Sequence, residues 1–465
     1  MCRLAKYKTS IVIKGKLAYQ GGVIMATRVG GYAQQLSLLN HLNRVNSSFN
    51  KHMTAIATGN KVNSAADDAS IYAIGTKMGI RVGALDQAAA NTQTGSAMLK
   101  VADGAMSNTL DILSTMREKA LAAANSTAKD SDRASIQKEF NQYIDQINDN
   151  SLVEYNGMAL MNGSHSGMSR LTTQAYTNKS FGVDTTGDTK LTDLTSRNGD
   201  SMNIQATDTI TVSFVKDGKT YTNSYKAGDT TLSDIFASAN QAGQNAGIGD
   251  VFDTTLGSTK EIGTDANGKT LNTSDGKNAI TVKAAQAGKA GEISGFAISV
   301  QTADGQERKD VNGAFDNFTE SIGAAEDRAG SSLKLQVGAD ANQTINVGLG
   351  NISAYGLGLQ GSDGSNLSVA TAEDAQAALA VIDNAINKVL DQSTNVGALS
   401  SRLGYTHDNL TTESENLTAA QTTLMGADIA KEITNMASDN MMMQATQAML
   451  AQSYQNSSWF LNLLR

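Results

Sequence analysis

The chain has 465 residues and no proline, where ordinary usage would supply about 20. No helix in it is broken by a pyrrolidine ring, and none of its peptide bonds waits on slow X-Pro isomerisation. A single cysteine, Cys2, excludes an internal disulfide framework and a cysteine-based metal site, so thiol usage does not give the compartment. No run of about 18 apolar residues occurs, so no membrane insertion is expected. The formal charge of −8 argues against a nucleic-acid partner, because a phosphate backbone needs a clustered basic face. It reads instead as a solvated acidic surface. The four histidines (His41, His52, His165, His407) are isolated, and there is no HExxH, no glycine-rich phosphate loop and no nucleophile elbow. The expectation is a protein without catalysis, metal or cofactor.

What the chain does have is periodicity. An apolar residue falls on every seventh position from 382 to 424: Ile382, Val389, Val396, Leu403, Leu410, Leu417 and Leu424. A strict repeat of seven keeps one narrow seam turned toward a partner helix, as in a coiled coil. As one helix the stretch is a rod of roughly 60 Å, too long for the inside of a single compact domain. The residues between the rungs are mostly polar, so the seam needs a second helix from elsewhere in the chain or from another copy.

The first part of the chain carries matching stripes. Leu38, Leu42, Val45, Phe49, His52 and Ile56 alternate spacings of four and three, which predicts an amphipathic helix. His52 lies on the stripe and reads as a packing histidine, since no second His or Cys stands at metal spacing. NSAADDAS (63–70) predicts a break, with Asp67 and Asp68 in capping or solvated roles. Leu85, Leu99, Met106 and Leu113 follow at multiples of seven, with Thr92 on the missing rung; Ile136, Phe140, Ile144 and Ile147 mark another helix, with Asp130, Ser131 and Asp132 as its cap residues. Near the other end Ile429, Ile433, Met436, Met443 and Leu450 are placed on one face, and Trp459, Leu461, Leu463 and Leu464 close the chain.

The texture changes between about residues 170 and 325. Residues 210–215 alternate, Asp217-Gly218 turns them into 220–225, and Asn267-Gly268, Asp275-Gly276 and Asp304-Gly305 repeat that turn chemistry around short β-prone runs. A short helix is expected at 232–239. Residues 333–337 and 344–347 form a further hairpin before helix resumes near 372. The fold class is therefore multidomain α+β: a long coiled-coil-like helical bundle from paired N- and C-terminal segments, with a mostly β variable domain inserted. The expected divisions are 1–24, a non-native extension; 25–66, an amphipathic helix of an inner assembly core; 67–175, the first half of a helical domain; 176–325, the β-rich insert; 326–424, the second half of the helical domain with its hairpin; and 425–465, a second inner helix.

Terminal helices with an apolar stripe and little tertiary cover are marginal alone. They are expected to order against copies of themselves, and head-to-tail association that does not close gives a helical filament. The assembly stripes are Leu38, Leu42, Val45, Phe49 and Ile56 in the first segment and Leu403, Leu410, Leu417, Leu424, Ile429, Ile433, Met436, Met443 and Leu450 in the last.

Several motifs in order carry a resemblance: NSAADDAS (63–70), IQKEFNQYIDQIN (136–148), VEYNGMALMNG (153–163), LQVGADANQTINV (335–347), SENLTAAQTTLMGADIAKE (414–432) and the ending LAQSYQNSSWFLNLLR (450–465). They resemble bacterial flagellin over about residues 25–175 and 325–465. The resemblance implies a secreted, extracellular homopolymer, exported unfolded with an export apparatus and chaperone and assembled under a filament cap. Absence of proline suits refolding at a growing tip. Two features depart from the family. Flagellins detected by an innate immune receptor read LQRIRELAVQAAN where this chain reads LSTMREKALAAAN (113–125). Arg117, Glu118 and, farther on, Glu139 match contact positions, but Thr115 and Lys119 replace an arginine and a leucine, which implies weak receptor recognition. GAD at 426–428 replaces the more usual RDAD, a change expected to alter only local electrostatics. Hook-filament junction proteins, with similar helical ends, and a secreted adhesin or immune ligand using the β insert are the competing readings; insert length and both terminal motifs favour the filament subunit.

Residues 1–24 carry Arg3, Lys6, Lys8, Lys14 and Lys16 with no acid, and 20–23 can be back-translated to contain AAGGAGGU shortly before Met25. Translation is expected to start at or just after Met25. Mass spectrometry of the first tryptic peptide should find nothing from residues 4–16; recovering those peptides overturns the expectation.

Overall fold

The computed structural model describes residues 22–463 and, among their side chains, 33–456, 458 and 459. Residues 1–21 of the expected extension, and the side chains of Leu461, Leu463 and Leu464, lie outside the described residues. Among the described residues two compact units emerge, one of residues up to 84 together with those from 412 onward, the other of residues 85–411.

Helix α1 (Gly22–Thr58) ends at Gly59, whose left-handed backbone (φ 74°) is the usual helix-stopping geometry of glycine. The NSAADDAS break follows. Asp67 accepts from the Ser64 N–H at 3.1 Å and Oγ at 2.9 Å, and Asp68 caps α2 (Ala69–Ala124) through the Ser70 and Ile71 N–H groups, both at 2.9 Å. In the first unit the start of α2 lies against the end of a later helix, α7 (Ala372–Met425). A Cβ at Gly75 would fall 1.9 Å from Met425 Sδ and one at Gly79 2.9 Å from Gln421 Nε2, so two glycines one turn apart seat the α7 side chains. Arg81 reaches Glu413 at 3.0 Å. After α7 the backbone turns at Gly426, where a Cβ would lie 2.3 Å from the Thr422 carbonyl oxygen. A side chain at 426 would therefore require that carbonyl to shift. Asp428 caps α8 (Ile429–Leu463) through the Lys431 N–H at 3.2 Å.

In the second unit α2 shows two rows of buried positions seven apart. One is Leu85, Thr92, Leu99, Met106, Leu113 and Ala120; the other is Ala88, Gly95, Ala102, Thr109, Met116 and Ala123. Small residues in the second row let neighbours approach: a Cβ on Gly95 would meet Leu335 Cδ1 at 2.5 Å and Leu403 Cδ1 at 3.4 Å. Helix α3 (Asp130–Ser151) adds Phe140, Ile144 and Ile147 to the same core. Asp130, Ser131 and Asp132 occupy its first turn, and the cap residue is Lys129, whose N–H donates to Asp132 at 3.3 Å. Buried Arg133 donates to the carbonyls of Ala123 (2.8 Å) and Asn125 (3.0 Å), closing the end of α2.

The hairpin β1 (Glu154–Tyr155) to β2 (Met158–Ala159) turns at YNG, with Asn156 and Gly157 both at positive φ. In the insert come β3 (Ala175–Asn178), β4 (Thr209–Lys216), β5 (Lys219–Lys226), α4 (Leu232–Asn245), β6 (Phe252–Thr259), β7 (Glu261–Thr264), β8 (Thr270–Asn272), β9 (Ala279–Ala284), β10 (Gly295–Gln301), α5 (Lys309–Phe315) and β11 (Thr319–Ile322). The hairpin β12 (Leu333–Gln336) to β13 (Thr344–Val347) and the short α6 (Ala354–Leu357) lead to α7. Two antiparallel sheets, ordered β10-β4-β5 and β11-β3-β9-β6, enclose a core rich in Phe181, Phe214, Phe236, Phe252, Phe296 and Phe315. The Asp217-Gly218 turn is as expected, with both residues at positive φ. Helix α4 runs six residues past the expected end because Asn240 accepts from the Val251 and Phe252 N–H groups at 2.9 and 2.8 Å.

The root of the insert rests on α7. Gly295 lies so close that a Cβ would fall 2.8 Å from the Val381 nitrogen. Beside it Lys388 pairs with Glu292 at 2.8 Å and stands 3.8 Å from Glu320, while Lys289 also binds Glu292 at 2.5 Å. Burial opposes the Lys388 charge, but Glu292 and Glu320 outweigh it and hold its pKa above the ordinary lysine range. Burial likewise opposes the Glu292 charge, and the two lysines overcome it and hold that carboxyl low. Removing one partner of a half-buried cluster strands the others. Lys388→Met is expected to lower the stability of this unit by about 3 kcal/mol, whereas Lys219→Met, which breaks a half-exposed pair with Asp363, should leave the unfolding midpoint nearly unchanged because solvent screens that pair. Urea unfolding of the two variants checks the contrast.

Candidate assembly surface

Helices α1 and α8 run antiparallel as a pair, and a backbone clasp fixes where they meet: Lys61 N–H donates to the Met425 carbonyl at 2.7 Å and Ala427 N–H to the Gly59 carbonyl at 2.9 Å. The α1 stripe is its inward face. Val45 is buried, and Leu38, Leu42, Phe49, His52 and Ile56 are half-buried, with Ala55 filling the next position.

Helix α8 sorts differently from the sequence expectation. Met436, Met443 and Leu450 are half-buried, but Ile429 and Ile433 are exposed, at 39% and 47%. The rest of its covered face is polar: Glu432, Asp439, Thr446 and Ser453, again at steps of seven. Because the helix carries apolar residues on both sides, periodicity alone could not choose the covered one. The row of four polar residues was the missed signal, since His52 stands opposite it on α1. Leu36, Leu39 and Met53 on α1 and Ile433, Met441, Met442, Met449, Tyr454 and Trp459 on α8 remain exposed around the pair.

The α7 ladder is buried in a graded way. Ile382, Val389, Val396 and Leu403 are almost fully covered, Leu410 is 7% exposed, and Leu417 and Leu424 are half-buried. Of the receptor-contact positions, Arg117 donates to Asp383 at 2.6 Å, Glu139 is bound by Lys119 at 2.7 Å, and Glu118 is exposed.

Other chemistry is sparse. Among the described residues no group of three or more His, Cys, Asp or Glu is arranged to hold a metal ion, and no helix is long and apolar enough to cross a membrane. An open cavity of about 420 Å³ beside α4 is lined by Asn240, Gln244, Asp250 and Asp253. Those groups bind one another or the adjacent backbone: Gln244 donates to Asp250 at 2.6 Å, and Asp253 accepts from the Thr255 N–H at 2.8 Å.

Comparison with known proteins agrees with this organisation. Residues 29–166 match the family model of the bacterial flagellin N-terminal helical region and residues 379–464 that of the C-terminal helical region. The chain is 28% identical over 422 residues to a flagellin of Clostridium tyrobutyricum, covering 90% of this chain and 97% of that one. The chain belongs to the bacterial flagellin family. Flagellin B of Vibrio cholerae serotype O1 is 26% identical over 444 residues, covering 95% of this flagellin and 100% of its own length. Among solved structures, flagellar hook associated protein-3 of Legionella pneumophila is 12% identical, with 75% of this chain and 98% of that chain covered and a TM-score of 0.32. FliC from Burkholderia pseudomallei is 17% identical, covering 66% and 99%, with a TM-score of 0.24. The two family matches frame the insert, which lies between them.

Proposed function

We propose that this flagellin is a structural subunit that polymerises into the bacterial flagellar filament for swimming motility, and that it does so by burying the outer side of the α1–α8 pair against neighbouring copies. The observation that carries the reading is that side of the pair. Large apolar residues such as Met441, Met449, Tyr454 and Trp459 stand 54–75% exposed on a helix that already packs against α1 through other positions. Each Leu, Ile or Met side chain removed from water contributes roughly 1.5–3 kcal/mol, so a copy on either side would stabilise helices that are marginal as a lone pair. The α1 and α8 stripes act first within the subunit, and the exposed residues then act between subunits. Export in an unfolded state through a flagellar secretion channel, with a chaperone before export and a cap at the growing end, completes the reading. A chain without proline refolds there with no isomerisation step of tens of seconds.

We further propose that innate immune recognition of this flagellin is weak. Lys119 stands where an apolar contact would be required and also binds Glu139, while Arg117 is engaged by Asp383.

Ile433→Asp and Met449→Asp should leave the helix content of the free subunit unchanged, since both positions are exposed in it. They should slow seeded filament growth at least about tenfold, the equivalent of ~1.4 kcal/mol per added subunit. Undiminished growth, or a wild-type chain that does not extend seeds, rejects the assembly reading. For the receptor, a reporter-cell assay should give weak stimulation that rises with Lys119→Leu and Thr115→Arg together; full potency of the unaltered chain overturns that reading.

A further inference from the structure

The methionines of the chain fall into two contrasting surroundings. Met98, Met106, Met116 and Met161 are at most 3% exposed, inside the helical core of the larger unit. Met441, Met442 and Met449, close together on α8, stand 42–66% exposed. Leucine would present a similar apolar area at these positions. A thioether differs in carrying a polarizable sulfur that an oxidant can reach once it is open to solvent. Met53 on α1, Met158 on β2 and Met168 in the loop before β3 are exposed as well, Met168 at 67%.

We propose that Met441, Met442 and Met449 are an oxidation site through which hydrogen peroxide switches off the capacity of the subunit to assemble. This regulation rests on the assembly reading. The thioether sulfur attacks one peroxide oxygen, so that the S–O bond forms as the O–O bond breaks. The departing hydroxide takes up the proton of the transferred oxygen and leaves as water; sulfur gives up two electrons and the peroxide gains them. Sulfoxide reductases reverse the step. In the free subunit each sulfoxide oxygen faces water, and oxidation disturbs the fold little. A neighbouring copy that covers the same side chain must strip that water from a strong acceptor, and an acceptor buried without a donor opposes burial. Oxidation therefore acts on association more than on the subunit, and a copy already incorporated is shielded by the contacts it has made.

Dilute full-length chain is treated with hydrogen peroxide, quenched with catalase, mapped by peptide mass spectrometry and offered to unoxidised seeds. Oxygen should be gained at the three α8 methionines and at Met53, Met158 and Met168, while Met98, Met106, Met116 and Met161 stay as thioethers. That contrast does not require α1 and α8 to be paired in the dilute chain, because unpairing only uncovers the terminal sulfurs further. The oxidised wild type should extend seeds at least about tenfold more slowly than before treatment, and sulfoxide reductases for both epimers should restore its rate. The combined variant Met441→Leu, Met442→Leu and Met449→Leu, compared with its own untreated rate, should be insensitive to peroxide. It retains Cys2, Met53, Met158 and Met168, so insensitivity assigns the effect to α8. Should that variant not fold, partially oxidised wild type decides the matter. Filaments grown from it should be depleted of sulfoxide at 441, 442 and 449 relative to the subunits left in solution, with Met168 sulfoxide equal in both; equal distribution at every site overturns the proposal. So does an oxidised wild type that grows at its untreated rate, or a leucine variant as sensitive as the wild type. An untreated wild type that extends no seeds rejects the assembly reading, and this regulation with it.

Discussion

The constraint on which the first unit depends is the joining of two chain ends hundreds of residues apart. His52 and Glu432 are separated by 380 positions, and a loop of that length costs entropy that a two-helix contact alone repays poorly. The start of α2 and the end of α7 supply the remedy. Gly75 and Gly79 admit Met425 and Gln421, Gln421 donates to the Gly75 carbonyl at 3.0 Å, and the clasp at Gly59 and Lys61 follows directly. Once that zipper has closed, the ends of α1 and α8 are separated by a few residues of turn. Reducing the effective loop from hundreds of residues to about ten lowers the closure cost by about 3 kcal/mol at ~0.6 kcal/mol per doubling. The same glycines that look like weak points in a long helix are therefore what let the terminal pair form.

The two units use the repeat of seven in different ways. In the larger one, α2 sets Leu99, Met106 and Leu113 beside Ala102, Thr109 and Met116, and α3, α7 and the β12–β13 hairpin cover them completely. Thr92 and Thr109, the two hydroxyls in those rows, donate to carbonyls one turn back, at 2.7 and 2.9 Å, so that seam holds no unsatisfied polar group at either position. Among the described residues the α1–α8 seam has no third layer. Its row of Glu432, Asp439, Thr446 and Ser453 alternates with Met436, Met443 and Leu450, and exposed apolar side chains remain on the far side. Burial along the α7 ladder fades from Leu403 to Leu424, a change of environment along one unbroken repeat.

Local chemistry made much of this legible. The ladder, the NSAADDAS break, the Asp217-Gly218 hairpin and the β12–β13 hairpin each rest on residues within a few positions of one another. The misses share one physical cause, a partner distant in sequence. The four residues of β3 are buried on every side because β9 and β11 flank them, from more than a hundred positions away, and nothing local marks so short a strand. Helix α4 continues through glycine and asparagine, poor helix formers, because Asn240 is held by the strand that follows. Ile429 and Ile433 were assigned to the covered face because apolar side chains lie on both sides of α8, and only the position of α1 distinguishes the two. Arg133 gave no sequence signal as the closure of α2, since its acceptors are backbone carbonyls.

A seam lined only by methionine and leucine would tolerate sliding, because adaptable side chains repack at similar cost after a shift of seven. The polar row removes that freedom. It is graded, two acids and then two hydroxyls, and a single histidine faces it. A slip of one heptad in either direction leaves at most one acid at the ring and strands the other without a donor, and an unpaired buried carboxylate is among the costlier defects a helix interface can hold. Only the observed alignment brings both Glu432 and Asp439 to His52, and it is also the alignment in which the Gly59–Ala427 clasp closes. Backbone and side chains thus specify the same register, so the outer apolar side is presented in one fixed pattern, which association into a regular filament demands of every copy.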